Sequence, residues 1–288
     1  MCRKLALAAT ALGLVLAVPA LAGVKDKTPP APAAAATPAP AAPSPPAPPP
    51  RKATAEERAA AERLDPLARA AFWAREVDLD GRDAAAGVHL AAAMRAMDRN
   101  QEAAETAQRV LVLEPDNRDA LFELARADLA GGQGFYAIDP LKRLQVQAAS
   151  DWRVFSLLGV AYEQVSRGDD AETAWRQALT LSPDNPSVLN NLAMHYAAKG
   201  DSAQAETLLR RAAVQPGATI QVRQNLALVL GLGGKLAEAE QLERQDLPPD
   251  MAENNLAYLR AASSGGGAGR TWRSVQGAQA AAAPTPGG

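Results

Sequence analysis

The chain has 288 residues, 48% hydrophobic and 22% charged but only 4% aromatic, with 22 prolines and one cysteine. Its 30 Lys and Arg against 32 Asp and Glu give a formal net charge of −2, which argues against nucleic acid as the main partner, and one cysteine excludes an intrachain disulfide framework or a cysteine-based metal site. Past the N-terminus no apolar run reaches the ~18 to 20 residues of a membrane-spanning helix, so the length predicts one large or two small domains packed mainly by alanine and leucine.

Residues 1–22 read as a secretory signal. Arg3 and Lys4 supply the positive start, Leu5 to Val18 the apolar stretch, and Pro19 precedes Ala20-Leu21-Ala22, a small-residue cleavage site. The alternative, an uncleaved anchor, meets a run that is short for a span. Residues 23–53 form a Pro/Ala linker, expected to be disordered. Its segment 29–50 holds eleven of the 22 prolines, and proline lacks the N–H a helix needs. The expectation is an extended tether, reaching about 70 Å at ~3.1 Å per residue. The tail, 263–288, is rich in Gly, Ala and Ser and is expected to be disordered. Arg270-Thr271-Trp272 stands in it as an isolated island, either a docking element or a segment lying loosely on its own domain.

Between 54 and 262 the apolar pattern is helical throughout, and it repeats. Leu90, Leu124, Leu158, Leu192 and Leu226 stand 34 residues apart. The sharpest copy runs Phe155, Leu158, Gly159, Tyr162, Ala171, Trp175, Ala178 and Pro183. Such a period fits two antiparallel helices and two short turns: small residues sit where backbones approach closely, large ones fill the space between, and Pro115 and Pro183 follow helix ends. The pattern resembles the tetratricopeptide repeat, which implies an all-α superhelical solenoid of about five helix pairs with flanking helices. The repeats are placed at about 84–117, 118–151, 152–185, 186–217 and 220–246, the last with a shortened second helix, and a capping helix at 250–262 is clearest from Asn254 to Ala262. The 118–151 copy departs most. Pro140 lies within its second helix, or else Asp139 and Pro140 begin that helix and a turn covers Phe135 and Tyr136. Ahead of the array, Thr54-x-x-Glu57 is a capping box and Asp65-Pro66 starts a helix through Trp73.

Sites for chemistry fail one by one. His89 and His195 lie in first helices three repeats apart, too far to share a metal, and read as groove or partly buried helix residues. Asp78-Leu79-Asp80-Gly81 has Gly87 where a calcium loop needs its closing glutamate. Gly231-Leu232-Gly233-Gly234-Lys235 lacks the Ser or Thr of a phosphate-binding loop and follows a helix. No serine occupies a nucleophile elbow. The expectation is a protein without enzymatic activity, cofactor, metal or small-molecule substrate.

What the repeat resemblance leaves is its inner surface, lined by the first helix of each pair through repeat positions 2, 5, 6, 9, 12 and 13. Those positions hold Asn190 and Asn191, Gln224 and Asn225, Asn254 and Asn255, joined by Arg153 and Glu163. Amides donate and accept, so such a ladder can hold an extended peptide backbone; alternatively the asparagines only bridge neighbouring helices. No lysine occupies these positions, so the clamp with which chaperone-binding members hold a terminal carboxylate is absent.

The C-terminal half carries a narrower likeness. Gln224-Asn225-Leu226-Ala227-Leu228-Val229-Leu230-Gly231, Lys235 through Ala239-Glu240, Asp246-Leu247-Pro248-Pro249 and Asn255-Leu256-Ala257-Tyr258-Leu259 resemble the TadD family of Flp pilus assembly proteins. Asp151-Trp152-Arg153 and Phe135-Tyr136-Ala137-Ile138-Asp139-Pro140-Leu141 fit as well. The likeness covers about residues 65–262. It implies a periplasmic, outer-membrane-associated adaptor of tight-adherence secretion whose protein partners include the pilus secretin. A lipoprotein would need cysteine after Leu21-Ala22-Gly23, where this chain has Val24.

Overall fold

The computed structural model describes residues 51–264. The signal, the proline-rich segment and the Arg270-Thr271-Trp272 island lie outside them. Thirteen helices make up the described residues, with no strand among them.

The repeat reaches well beyond the leucines. First helices begin at Ala84 (α3, Ala84–Arg95), Arg118 (α5, Arg118–Ala130), Trp152 (α7, Trp152–Gln164), Pro186 (α9, Pro186–Ala198) and Ile220 (α11, Ile220–Leu232). Second helices begin at Asn100 (α4, Asn100–Leu113), Gly134 (α6, Gly134–Gln147), Gly168 (α8, Gly168–Leu181), Ser202 (α10, Ser202–Ala213) and Leu236 (α12, Leu236–Asp246). Both series keep the 34-residue step predicted from the sequence.

Local chemistry fixes these boundaries. Asp83, Asn117, Asp151 and Asn185 each accept a backbone N–H from the turn they start, satisfying donors that have no partner within the helix. Inside every pair the turn carries one residue at positive φ: Asp98, Gly132, Ser166, Gly200 and Gly234, again 34 apart. Glycine adopts that conformation without strain, whereas Asp98 and Ser166 do not.

Alanine sits where two helices come closest. Ala103, Ala137, Ala171, Ala205 and Ala239 share one repeat position, and all are buried. Ala91, Ala125, Gly159, Ala193 and Ala227 share another in the first helices. The indole of Trp175 lies so near Gly159 that a Cβ there would stand 2.4 Å from Nε1, and that Nε1 donates to the Ser156 carbonyl at 3.1 Å. Phe155, Leu158, Tyr162, Ala171, Trp175 and Ala178 join one continuous core from Leu121 to Leu259. Pro183, just past α8, offers its carbonyl to Arg211 at 2.9 Å.

At the N-terminus α1 (Ala55–Ala61) opens with the capping box of Thr54 and Glu57, and α2 (Pro66–Leu79) with Asp65 as cap. Trp73 of α2 is buried against α3 and stacks on His89, ring centroids 4.4 Å apart. Glu62 receives the Trp73 indole N–H at 2.9 Å and lies 3.0 Å from His89 Nδ1.

Of the two readings of Pro140, the structure takes the first. Residues 139 and 140 do not begin α6; that helix starts at Gly134, includes Phe135 and Tyr136, and runs through Pro140. The N–H that proline lacks would have bonded the Tyr136 carbonyl, so α6 forgoes one bond early in its length while the Pro140 ring is buried. The last helix, α13, spans Pro249–Ser264, close to the expected 250–262; Pro249 opens it, where a missing N–H costs nothing.

The first helices touch one another in sequence, α3 to α5 to α7 to α9 to α11 to α13, whereas among the described residues the backbones of the second helices from α4 to α12 stay apart, α10 and α12 meeting through the side chains of Arg210 and Glu238. The first helices therefore form the inner row and the second helices fan outward.

Candidate functional site

The amide residues lie on this inner row. Asn190 of α9 and Asn225 of α11 are hydrogen-bonded, Nδ2 of Asn225 donating to Oδ1 of Asn190 at 2.8 Å, and Gln221 donates to Asn225 at 3.1 Å. Half-buried Asn191 and Gln224, and exposed Asn254, make no side-chain hydrogen bond within the described residues. The two uses weighed for amides in the sequence thus divide among neighbours: Asn190 and Asn225 bridge adjacent helices, while Asn191, Gln224 and Asn254 keep donors and acceptors uncommitted.

Asn255 is committed elsewhere. It donates at 3.0 Å to Glu243, a carboxylate only 4% exposed in α12. Glu243 stands where the other repeats place Ala107, Leu141, Trp175 and Leu209. Burial pushes its pKa up, the Asn255 donation pulls it down, and nearby Asp246 pushes it up again.

Glu163 is turned into the seam between repeats. Its carboxylate meets Nδ1 of His195 at 2.8 Å. His195 is buried, and its Nε2, 3.5 Å from Glu172, has no hydrogen-bond partner. It is a residue of the seam and not of the groove. Other repeats place Ala93, Ala127, Ala161 and Val229 there, and room for the ring comes from Gly168, whose missing Cβ would lie 3.1 Å from His195 Cε1.

Arg153 belongs to a different cluster, in the N-terminal part of the row. A concavity of about 500 Å³ lies between α3, α5 and α7, with Arg118, Arg126 and Arg153 in its lining beside Phe122. The guanidinium carbons of Arg126 and Arg153 both stand 5.2 Å from the Phe122 ring centroid. Arg153 grips both oxygens of Asp151, the α7 cap, at 2.6 to 3.2 Å, and this holds the Asp151 carboxyl below its ordinary range. Glu123 bonds Arg126 at 2.6 Å and Arg95 of α3 at 3.0 Å. The sequence reading reached Arg153 but missed Arg118, Phe122, Glu123 and Arg126. Three of these, Phe122, Glu123 and Arg126, occupy inner positions 5, 6 and 9 of their repeat, so the register alone could have found them.

No three or more His, Cys, Asp or Glu side chains of the described residues converge as metal ligands. The Asp80 turn is closed by its own bonds, to the Arg82 N–H at 3.0 Å and to Lys52. Gly231 to Lys235 form the end of α11 and its turn.

No protein-family model matches the chain. Over 109 residues it is 31% identical to cellulose synthase 1 operon protein C of Komagataeibacter xylinus, 37% of this chain and 8% of that protein. The cellulose synthase operon protein C of Komagataeibacter sucrofermentans matches at the same identity over the same length. The chain thus spans only a small part of these relatives. Among solved structures, a thermophilic tetratricopeptide-repeat protein of Thermus thermophilus aligns with a TM-score of 0.54 at 21% identity, covering 62% of this chain and 99% of that one. MamA from residue 41 to its end, of Desulfovibrio magneticus RS-1, aligns with a TM-score of 0.50 at 20% identity, covering 55% and 89%. The fold is a tetratricopeptide-repeat solenoid.

Proposed function

We propose that this solenoid is a non-enzymatic, exported adaptor that works by holding a segment of another protein on its inner face, and that it serves tight-adherence pilus assembly by supporting the secretin. The observation that carries the binding role is the run of uncommitted amides, Asn191, Gln224 and Asn254, on three successive first helices. Spaced side chains that both donate and accept suit the alternating N–H and C=O groups of an extended peptide. The pilus assignment and the periplasmic location rest on the sequence likeness of the C-terminal half and on the N-terminal signal.

Two experiments test the reading. A deletion strain should lose surface pili and adherence; normal pili would refute the pilus role. Replacing Asn191, Gln224 and Asn254 with alanine should abolish capture of the partner from envelope fractions while leaving the thermal melt unchanged. Asn255 is kept out of that variant because its loss strands buried Glu243.

The segment matched in cellulose synthase operon protein C favours a second reading, a repeat scaffold organising other envelope proteins or enzymes. A deletion strain with intact pili and altered secreted polysaccharide would select it.

A further inference from the structure

We propose that the notch between α3, α5 and α7 is an anion-reading subsite of the same inner face, shaped for side-chain carboxylates of an acidic partner segment. The inference rests on the reading that this face binds a protein.

Three arginines line the notch, and each retains unused donors. Arg153 spends Nε and Nη2 on Asp151 and leaves Nη1 without a partner; Arg126 spends only Nη1, on Glu123. Arg118 approaches Asp151 no closer than 3.7 Å and is half exposed. A guanidinium has five N–H groups in a fixed plane, so bonds along one edge hold it still and leave the other edge presented. Phe122, only 5% exposed, adds a second restraint by sitting under Arg126 and Arg153. For Arg126 and Arg153 the side-chain ordering that usually opposes binding is therefore largely in place. Guanidinium is also weakly hydrated for a cation and pairs with a carboxylate through two parallel bonds.

The charge balance selects the ligand. Arg118, Arg126 and Arg153 line the notch with Asp119 and Glu123, three cations against two carboxylates. One surplus positive charge matches a singly charged carboxylate, whereas a phosphate dianion would be drawn in against Asp119 and Glu123. The clamp residues for a chain terminus are absent, so the group read is a Glu or Asp side chain within the segment.

Calorimetric titration of the purified full chain tests this with three probes: acetyl-hexaglutamate amide, acetyl-hexaglutamine amide and inorganic phosphate. The hexaglutamate peptide should bind at least about tenfold more tightly than hexaglutamine, the equivalent of one charge-assisted bond, and its affinity should fall as salt rises. Phosphate should not displace it. Arg118→Gln with Arg153→Gln should weaken hexaglutamate by about fivefold or more. Arg118→Lys with Arg153→Lys keeps the charge, protects against loss of fold, and should fall between, because lysine cannot make the planar fork. Arg211→Gln with Arg244→Gln, on the outer helices, should change nothing.

Equal affinity for the two peptides, unchanged binding in both Arg118 and Arg153 variants, or displacement by phosphate would each overturn the proposal. The peptide titration needs no pilus, so its failure is separable from failure of the adaptor role. A chain that loses hexaglutamate binding through the arginine pair yet still captures its envelope partner would confirm the notch chemistry and show that this partner is held by the amides alone.

Discussion

Three single residues break the repeat where every neighbour obeys it. Asp128 stands where other repeats hold Met94, Tyr162, Tyr196 and Leu230. Burial pushes its carboxyl up from 3.8 to about 6. The folded chain therefore keeps a proton that the unfolded chain releases near 3.8. This group's favourable share is complete below that value and disappears as pH rises through 6. Asp128→Asn should consequently be more stable than the parent above pH 6, by on the order of 1 kcal/mol once solvent screening is allowed for. Urea midpoints should converge near pH 4 and separate near neutrality; a constant gap would disprove the burial cause. Glu243 and His195 are the other two exceptions, and each has acquired a compensating neighbour, Asn255 and Glu163. Asn255→Ala should cost about 1 to 3 kcal/mol by leaving a buried carboxylate unsatisfied. Most of that loss should vanish in a Glu243→Leu background, and a double-mutant cycle measures it. All three exceptions were visible in the sequence, since aligning the repeats exposes them. Their partners were not, because those contacts cross between helices.

Each helix pair poses two local demands, a close backbone approach and a left-handed turn. Gly159 meets the first. A Cβ there would lie 2.4 Å from the Trp175 indole, so Gly159→Ala should cost about 1 to 3 kcal/mol through overpacking. Adding Trp175→Leu should recover part of the thermal midpoint. The turn position is filled by glycine in three pairs but by Ser166 at φ 61° and Asp98 at φ 59° in the others. Ser166→Gly should then stabilise by on the order of 1 kcal/mol by relieving that strain, while Gly200→Ala should lose a similar amount. Helix starts were legible because caps and apolar spacing are local signals. Pro140 left two readings open, because its tolerance depends on where in α6 its missing hydrogen bond falls. The arginine notch was hidden for another reason: its geometry needs Phe122 and Arg153, which are 31 residues apart in sequence and meet only after α5 and α7 pack.

The described residues are one geometric unit applied five times, with two helices in front, α1 and α2, and a single helix behind. Its faces differ in chemistry along the row, guanidinium at the N-terminal end and amide at the C-terminal end. A repeat array gains stability from each unit and from the seam to its neighbour, so end units lack one seam. Amide hydrogen exchange should be slowest through α5 to α9 and faster in α1, α12 and α13. Uniform protection across the array would contradict that scheme.

Adjacent pairs meet through first helices and through the hand-over from one pair to the next, while the second helices from α4 to α12 keep their backbones apart, with the Arg210–Glu238 ion pair linking α10 to α12. That arrangement has a mechanical consequence. A pull between the two ends would load the seams in series and spread the outer helices as a spring's coils spread, so small extensions would be elastic. Beyond that point units should peel away one by one, each releasing a contour of roughly 110 to 120 Å for 34 residues. Force spectroscopy should show this as a ladder of evenly spaced steps at low force, the behaviour of a compliant link between anchored machinery.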